Sequence, residues 1–386
     1  MSTDQRKLLS IDGDGTRIYL SVRILRRLET VLREHTGDPG LTLGQWFDYV
    51  AGTNSGGLVA ALIATGHPMS EVEQRLKASA SVIFHRRRML GWLLANGPVA
   101  LVRSTRPGTT RRADDLEKLL RGWFATDDGQ LALGDVAAIS SCHLLLGLYN
   151  LTTDSPWPVS TNPDAMFNRD PVGSNLALPL WGLVRATLAG PRRYEPVRLP
   201  VVAREPTAFD FVDGAAGGTT NLSMQLLLMS TLESYRLEWP TGADRLLLVS
   251  VGSGVAEHLP GIDRGRRRRP VPARMSAQEL VTSVLRQASV REDLLCRILG
   301  QVRWAAPDVD LEVADAHAET VIGGGALFSY VRYNDLLTDK ALRRLDVGYA
   351  YAADVGRRDR LPRTGDLADV GDSIAAQVDV EHLRGF

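Results

Sequence analysis

The chain has 386 residues, of which 44% are hydrophobic and 23% charged, a composition typical of folded globular proteins that excludes disordered, collagen-like and disulfide-scaffold chains. Lysine plus arginine and aspartate plus glutamate both number 45, so the formal net charge is zero and does not indicate a nucleic-acid-binding protein. The two cysteines, Cys142 and Cys296, form no metal-binding or redox spacing. We therefore expect no metal, no other cofactor and no nucleic-acid partner.

Hydropathy and two arginine runs bear on membrane contact. No window of about 18 apolar residues occurs, so no transmembrane helix is predicted, and no apolar signal core follows residues 1–7. We therefore expect a cytoplasmic protein. The arginines at 86–88 and 266–269 could contact anionic lipid headgroups, as in peripheral membrane proteins, or belong to solvated loops. Residues 89–94 could form an interfacial segment or a lid over an acyl pocket.

Two strand–turn–helix units near the N-terminus predict an α/β fold. In each unit a short apolar run, typical of a buried strand, enters a glycine-rich turn and is followed by a helix. Such units are typical of a largely parallel sheet covered by helices. The strand, turn and helix of the first unit lie at 8–11, 12–17 and 18–34, and those of the second at 46–51, 52–57 and 58–65.

The rest of the chain continues this pattern less regularly. Apolar patterns predict strands at 142–148, 209–212 and 245–251 and helices at 222–234 and 276–300. Residues 151–178 are rich in Pro, Asn, Asp and Ser, which predicts a segment that wraps the surface, and 261–272 is predicted to be an exposed loop. We assign residues 1–345 to one domain and 346–386 to a polar, loosely attached C-terminal tail.

Three short motifs follow predicted strands: the glycine-rich loop at 12–17, the Gly-x-x-Ser-Gly-Gly turn at 52–57, and Asp213-Gly214. Each motif is weak by itself. In this order they resemble the motifs of the patatin-like phospholipase family. The resemblance covers about residues 7–345 and includes the segments 47–53, 184–191, 239–254 and 330–334. It implies a three-layer α/β/α fold with a central, mostly parallel sheet.

The resemblance implies a Ser–Asp dyad that hydrolyses lipid esters. The serine of a Gly-x-Ser-x-Gly elbow attacks the ester carbonyl, Asp213 takes its proton, and backbone N–H groups of the glycine-rich loop stabilise the oxyanion. The matching loop positions are Gly13, Asp14, Gly15 and Arg17. Aligned by its glycines, the elbow of this chain has Asn54 at the position of the serine. A carboxamide cannot form an acyl-enzyme.

Other family motifs have also changed. The family's loop reads Asp-Gly-Gly-Gly-x-Arg-Gly, whereas here Asp14 brings a carboxylate to the place where negative charge should be stabilised. If that position needs a positive φ, Asp14 also reshapes the loop. Thr219-Thr220-Asn221 replaces the Asn-Asn-Pro of a bacterial subgroup. Asp12 is expected to be a turn residue that accepts hydrogen bonds from backbone N–H groups.

Three hypotheses follow. In the first, the protein keeps the pocket and binds a lipid or acyl group without cleaving esters. In the second, Asp14, Asn54 and Asp213 serve a non-hydrolytic reaction, with Asp14 and Asp213 as a carboxylate pair. In the third, the protein is an active phospholipase or esterase, because Ser55 is the nucleophile or because Asn54 is an introduced change.

Ser55 also has a structural interpretation, in which its hydroxyl satisfies early N–H groups of the following helix. The oligomeric state is left open.

Overall fold

A nine-stranded, mostly parallel sheet forms the centre of the described part of the chain. The computed structural model describes residues 5–84, 107–169, 173–190, 194–203, 205–256, 277–308, 325–347 and 364–386. The strands are β1 (Arg6–Ile11), β2 (Tyr49–Thr53), β3 (Ala125–Thr126), β4 (Gly129–Gln130), β5 (His143–Asn150), β6 (Ser155–Ser160), β7 (Val197–Ala203), β8 (Glu205–Asp213), β9 (Leu246–Val251), β10 (Gln301–Ala305) and β11 (Ser329–Tyr333). Their order is β10–β11–β9–β1–β2–β5–β8–β7, with β6 paired to β5, while β3 and β4 form a separate hairpin.

Helices cover both faces of this sheet, as the three-layer prediction requires. In β1, Leu9 and Ile11 belong to one hydrophobic cluster and Leu8 to a second, because successive side chains of a strand point to opposite faces. The helices are α1 (Ile18–Thr36), α2 (Leu43–Trp46), α3 (Asn54–Ala64), α4 (Met69–Ala78), α5 (Ala80–Ile83), α6 (Pro107–Trp123), α7 (Val136–Ser140), α8 (Leu180–Thr187), α9 (Ser223–Thr231), α10 (Ala277–Leu299), α11 (Asp339–Arg344) and α12 (Thr364–Ala375).

The first strand–turn–helix unit confirms the sequence pattern. β1 pairs in parallel with β2 on one side and β9 on the other, and a strand covered on both faces needs a continuous apolar run. Helix α1 buries an apolar stripe against the sheet and ends at Gly37, whose φ of 71° supplies the left-handed cap.

The second strand begins later than predicted. Residues Leu43–Trp46 form α2, and the side chain of Gln45 accepts a hydrogen bond of 2.9 Å from the backbone N–H of Thr42. This capped turn takes Trp46 out of the strand, so β2 starts at Tyr49. The apolar run therefore covers a helical turn as well as a strand.

The prediction that residues 151–178 only wrap the surface is wrong. This stretch contains β6, which pairs antiparallel with β5. After β6, the buried Asn168 donates hydrogen bonds from Nδ2 to the carbonyl oxygens of Ser160 (2.7 Å) and Asn162 (2.6 Å). The polar residues of this segment satisfy buried backbone groups, which explains why composition alone indicated a surface loop.

One edge of β5 is shared by two strands of opposite direction. β6 pairs with residues 145–150 of β5, so it occupies the other edge throughout. On the shared edge, β2 runs parallel to β5 as far as the pair Thr53 and Gly147, and β8 runs antiparallel to it as far as the pair Asp213 and Leu148. The ends of β2 and β8 therefore meet at adjacent positions along β5.

The C-terminal residues 364–386 are attached to the domain, which corrects the expectation of a loosely attached tail. Leu367, Val370 and Ile374 of α12 are buried in the main hydrophobic cluster. Gly371 approaches α1 so closely that a Cβ there would lie 2.9 Å from Cβ of Arg23. The polar composition of the segment concealed an amphipathic helix. The domain boundary after residue 345 stays a prediction.

Several predicted segments lie outside the described residues. They are the arginine runs at 86–88 and 266–269, the interfacial or lid segment at 89–94, and most of the loop predicted at 261–272. Among the helices of the described residues, none is long and apolar enough to cross a membrane.

Ile374→Ala tests the attachment of α12. Truncation of a buried Ile or Leu to alanine leaves a cavity and typically costs about 2–5 kcal/mol, so we expect the free energy of unfolding to fall by that amount. Urea denaturation measures it. The control, Ala376→Ser, lies at an exposed position near the end of the same helix and should change stability little. An equal effect of both substitutions would contradict the packing described here.

Candidate active site

The elbow at the start of α3 is tightly packed against β1. Asn54 is the first residue of α3 and has a φ of 50°, in the left-handed region that Asn tolerates better than most residues. A Cβ at Gly56 would lie 2.5 Å from the carbonyl oxygen of Ile11, and one at Gly52 would lie 2.3 Å from that of Gly56. Glycines are thus required on both sides of Asn54, which gives the sharp turn expected of a nucleophile elbow.

Asn54 and Asp213 are in direct contact. Asn54 Nδ2 donates a hydrogen bond of 2.6 Å to Asp213 Oδ2, and Asn54 Oδ1 accepts one of 2.7 Å from the backbone N–H of Ser55. Asp213 Oδ1 accepts hydrogen bonds from Thr53 Oγ1 (3.2 Å) and from the backbone N–H of Ala215 (3.1 Å). The structure therefore brings together the two residues that the sequence assigned to the dyad positions.

Strand topology explains this contact across 159 positions of sequence. Because β2 and β8 end at adjacent positions on one edge of β5, Thr53 and Asp213 become neighbours. Gly214, which follows, fits where a Cβ would lie 2.8 Å from the carbonyl oxygen of Gly147. The Asp-Gly motif thus combines a carboxylate with the close approach that only glycine permits.

Helix α8 and the residues after it form another side of the site. Thr187 Oγ1 donates a hydrogen bond of 3.1 Å to the carbonyl oxygen of Asn54. A Cβ at Gly190 would lie 3.6 Å from Asp213 Oδ2 and 3.7 Å from Asn54 Nδ2. The segment 184–191, picked out by resemblance, thus places Thr187 and Gly190 beside the elbow.

The glycine-rich loop lies against the elbow, and its Asp14 is paired with an arginine. A Cβ at Gly13 would collide with the carbonyl oxygen of Thr53, so glycine is required. Asp14 has a φ of −148° and needs no left-handed conformation, whereas Gly15 has a φ of 59°. Asp14 also forms an ion pair with Arg17, whose side chain is only 2% exposed. The guanidinium of Arg17 therefore reduces the repulsion of an oxyanion by Asp14 without removing the carboxylate from the loop.

Asp12 binds a side chain that the sequence analysis missed. Its carboxylate accepts hydrogen bonds from both Nη atoms of Arg332, at 3.0 and 2.5 Å, and both residues are buried. Burial raises the pKa of Asp12; burial acts to lower the pKa of Arg332, but attraction to Asp12 outweighs it and raises that pKa. Asp12 is thus half of a buried ion pair, and the expectation of a simple turn residue is wrong.

This ion pair connects the glycine-rich loop to the segment after Asp213. Arg332 Nη1 also donates a hydrogen bond of 2.6 Å to Ser250 Oγ in the neighbouring strand. Ser223 Oγ donates a hydrogen bond of 2.6 Å to Asn221 Oδ1, and it accepts one of 2.9 Å from Ser250 Oγ. Asn221 belongs to the changed Thr-Thr-Asn stretch, which is therefore part of a buried polar network.

Ser55 is fully buried, and within the described part of the chain its Oγ has no hydrogen-bond partner. The structural interpretation of Ser55, in which its hydroxyl satisfies early N–H groups of α3, is therefore wrong. The backbone N–H of Ser55 itself donates to Asn54 Oδ1. A nucleophilic role for Ser55 and the carboxylate pair of Asp14 with Asp213 both stay predictions. No group of His, Cys, Asp and Glu in the described ranges is arranged to hold a metal ion.

Comparison with known proteins identifies the family. The sequence model described as Patatin-like phospholipase matches residues 9–224, more than half of the 386 residues. The chain belongs to this family. The match includes the glycine-rich loop, the elbow and Asp213, so the patatin-like motifs are those that form the site described above.

Relatives of the patatin-like chain include plant and bacterial proteins. "Probable inactive patatin-like protein 9" of Arabidopsis thaliana is 29% identical over 265 residues, 66% of this chain and 62% of that protein. A "cGAMP-activated phospholipase" of Vibrio cholerae is 26% identical over 178 residues, 43% of this chain and 44% of that protein. The chain thus aligns with less than two thirds of either relative. Among solved structures, VipD from Legionella pneumophila matches with a TM-score of 0.39 and 11% identity, over 97% of this chain and 66% of VipD.

A double-mutant cycle tests the ion pair of Asp12 and Arg332. Asp12→Asn or Arg332→Gln leaves the other charge buried without its partner, which typically costs about 3–5 kcal/mol of unfolding free energy. The double variant should lose clearly less than the sum of the single losses, as measured by denaturant unfolding.

The partly exposed pair of Arg6 and Asp48, at 3.1 Å, provides the control. Arg6→Gln should cost at most about 1 kcal/mol, because a solvated pair contributes little. Strict additivity of Asp12→Asn and Arg332→Gln would contradict the coupling.

Proposed function

We propose that this protein is a non-hydrolytic patatin-like protein that binds a lipid or acyl group at the Asn54 elbow. The observation that carries the proposal is the 2.6 Å hydrogen bond from Asn54 Nδ2 to Asp213 Oδ2. In a Ser–Asp dyad, the serine hydroxyl would give its proton to this carboxylate as it attacks. The carboxamide makes the same contact, but it has no hydroxyl oxygen that can bond to an acyl carbon.

The surroundings of the elbow support ligand binding. Asn54, Gly13 and Asp14 are half-buried, whereas Asp213 is only 2% exposed, so the elbow and loop rather than the carboxylate face a ligand. Gly190 leaves space beside the pair, because it carries no side chain where a Cβ would contact both Asp213 and Asn54. A member of this family that keeps its elbow, loop and neighbouring helix can retain the acyl pocket after losing its nucleophile.

The effect of a missing nucleophile on kcat is known in order of magnitude. Removal of the nucleophile from a serine hydrolase lowers kcat by about a millionfold, and what remains comes from the oxyanion hole and binding. The Arabidopsis relative carries the word "inactive" in its name, which agrees with the proposal.

Covalent labelling tests the absence of a nucleophile. A fluorophosphonate probe should leave the native chain unlabelled and should label Asn54→Ser at position 54, because a serine there would lie beside Asp213. Mass spectrometry of the digested protein locates the label. Labelling of the native chain at Ser55 would contradict the proposal.

The same variant should hydrolyse p-nitrophenyl butyrate slowly. Addition of Asp213→Asn should abolish this activity, and addition of Asp14→Gly should raise it, because a carboxylate leaves the oxyanion loop. Full hydrolase activity of Asn54→Ser alone would show that the pairing with Arg17 cancels the effect of Asp14.

Gly190→Leu tests binding at the elbow. The new side chain would enter the space beside Asn54 and Asp213, so we expect affinity for 1-monooleoylglycerol to fall at least about tenfold. Calorimetric titration measures the affinity, and circular dichroism confirms the fold. Gly122→Leu is the matched control, because a Cβ there has no atom within 4 Å. Equal affinity of the two variants would place the ligand elsewhere.

A further inference from the structure

Thr53 is a threonine at the N-cap of α3 that does not cap the helix. It is the last residue of β2, and a threonine in this place normally accepts a hydrogen bond from an N–H group of the first helical turn. Thr53 accepts no such bond, and the N–H of Ser55 donates to Asn54 Oδ1. The side chain of Thr53 is fully buried, so its hydroxyl has another role inside the fold.

The hydroxyl of Thr53 reaches two other strands. Its Oγ1 lies 3.2 Å from the carbonyl oxygen of Gly147 in β5 and 3.2 Å from Asp213 Oδ1 at the end of β8. A hydroxyl has one hydrogen, and a carboxylate binds a donor more strongly than a neutral carbonyl does. The hydrogen of Thr53 is therefore directed to Asp213.

Two glycines leave the space that this hydroxyl occupies. A Cβ at Gly214 would lie 2.9 Å from Thr53 Oγ1, and a Cβ at Gly147 would lie 3.3 Å from Thr53 Cβ. The branched side chain of threonine also has few favourable values of χ1. The hydroxyl is thus held in one place, where β2 and β8 meet on the edge of β5.

The two oxygens of Asp213 have different surroundings. Oδ1 accepts hydrogen bonds from Thr53 and from the backbone N–H of Ala215 at 3.1 Å, whereas Oδ2 accepts from Asn54 at 2.6 Å. Ala215 belongs to the same turn as Asp213, but Thr53 belongs to a different strand. Thr53 therefore ties the carboxylate to the sheet on the Oδ1 side and leaves Oδ2 directed to Asn54.

We infer that Thr53 is a positioning residue, which fixes the direction of Asp213 and through it that of the Asn54 amide. The Nδ2 atom of an asparagine carries two hydrogens. Asp213 binds one of them, and the other can go to an acceptor such as the carbonyl oxygen of an acyl group. The inference rests on the proposed function, because it states how the elbow presents Asn54 to that group.

Nuclear magnetic resonance tests the orientation of Asn54 without any ligand. The asparagine side-chain amides are isotope-labelled, and the Asn54 signal is identified by its loss in Asn54→Ser. We expect a downfield amide proton in the native chain, a shift toward the position of a solvated amide in Thr53→Val, and a return of the downfield signal in Thr53→Ser, which keeps the hydroxyl. Thr65→Val is the matched control, because Thr65 Oγ1 binds the carbonyl oxygens of Ala61 (2.8 Å) and Leu62 (3.1 Å) at the other end of α3.

Covalent labelling of Asn54→Ser reports the same geometry through chemistry. A fluorophosphonate should label this variant at least about tenfold more slowly when Thr53→Val is added, because the carboxylate then no longer faces the serine. Addition of Thr53→Ser should restore most of the rate, and addition of Thr65→Val should change it little. Thr53→Cys serves if Thr53→Val does not fold, and its weak thiol donor should give smaller changes in the same direction.

The outcomes distinguish the positioning role from a structural role and from the proposed function. An unchanged Asn54 signal or an unchanged labelling rate with Thr53→Val would overturn the inference, even if the Tm falls, and would leave the proposed function in place. Failure of Thr53→Ser to restore the signal would overturn it as well. A shifted signal in Thr53→Val, with no binding of 1-monooleoylglycerol by the native chain, would support the role of Thr53 and contradict the acyl pocket. If Asn54→Ser is not labelled at all, the Asn54 signal alone decides.

Discussion

The shared edge of β5 is the constraint on which the site depends. Parallel pairing with β2 stops at Gly147, and antiparallel pairing with β8 starts at Leu148. The ends of two strands from distant parts of the sequence are therefore adjacent in space. Backbone hydrogen bonds along this edge fix the positions of the elbow and the Asp-Gly motif, whichever side chains they carry. Side chains at the site can therefore be exchanged while the geometry of its backbone is kept.

Two ion pairs compensate the charges of the glycine-rich loop. Asp12 and Asp14, both in the glycine-rich loop, are held by Arg332 and Arg17. Each of these pairs satisfies a buried or half-buried charge within the chain, so the loop gains a fixed shape without an external ion.

Local motifs could be predicted from the sequence, whereas long-range partners could not. The first strand, its helix and the elbow follow from apolar runs and glycines that act over a few residues. The partner of Asp12 lies 320 positions away, and no periodicity links Asp12 to Arg332. β6 and α12 were missed for a related reason: their polar residues bind backbone or neighbouring helices, so their burial depends on contacts that composition does not encode.

The positive φ of Asn54 limits which residues can stand beside Asp213 at the elbow. Alanine would remove the donor that contacts Asp213, leaving a buried carboxylate with one partner fewer, and a β-branched residue would be strained in this conformation. Glycine could adopt this backbone conformation but would supply no hydrogen-bond donor to Asp213. Asparagine meets both demands, so an exchange of serine for asparagine at this position would disturb folding little.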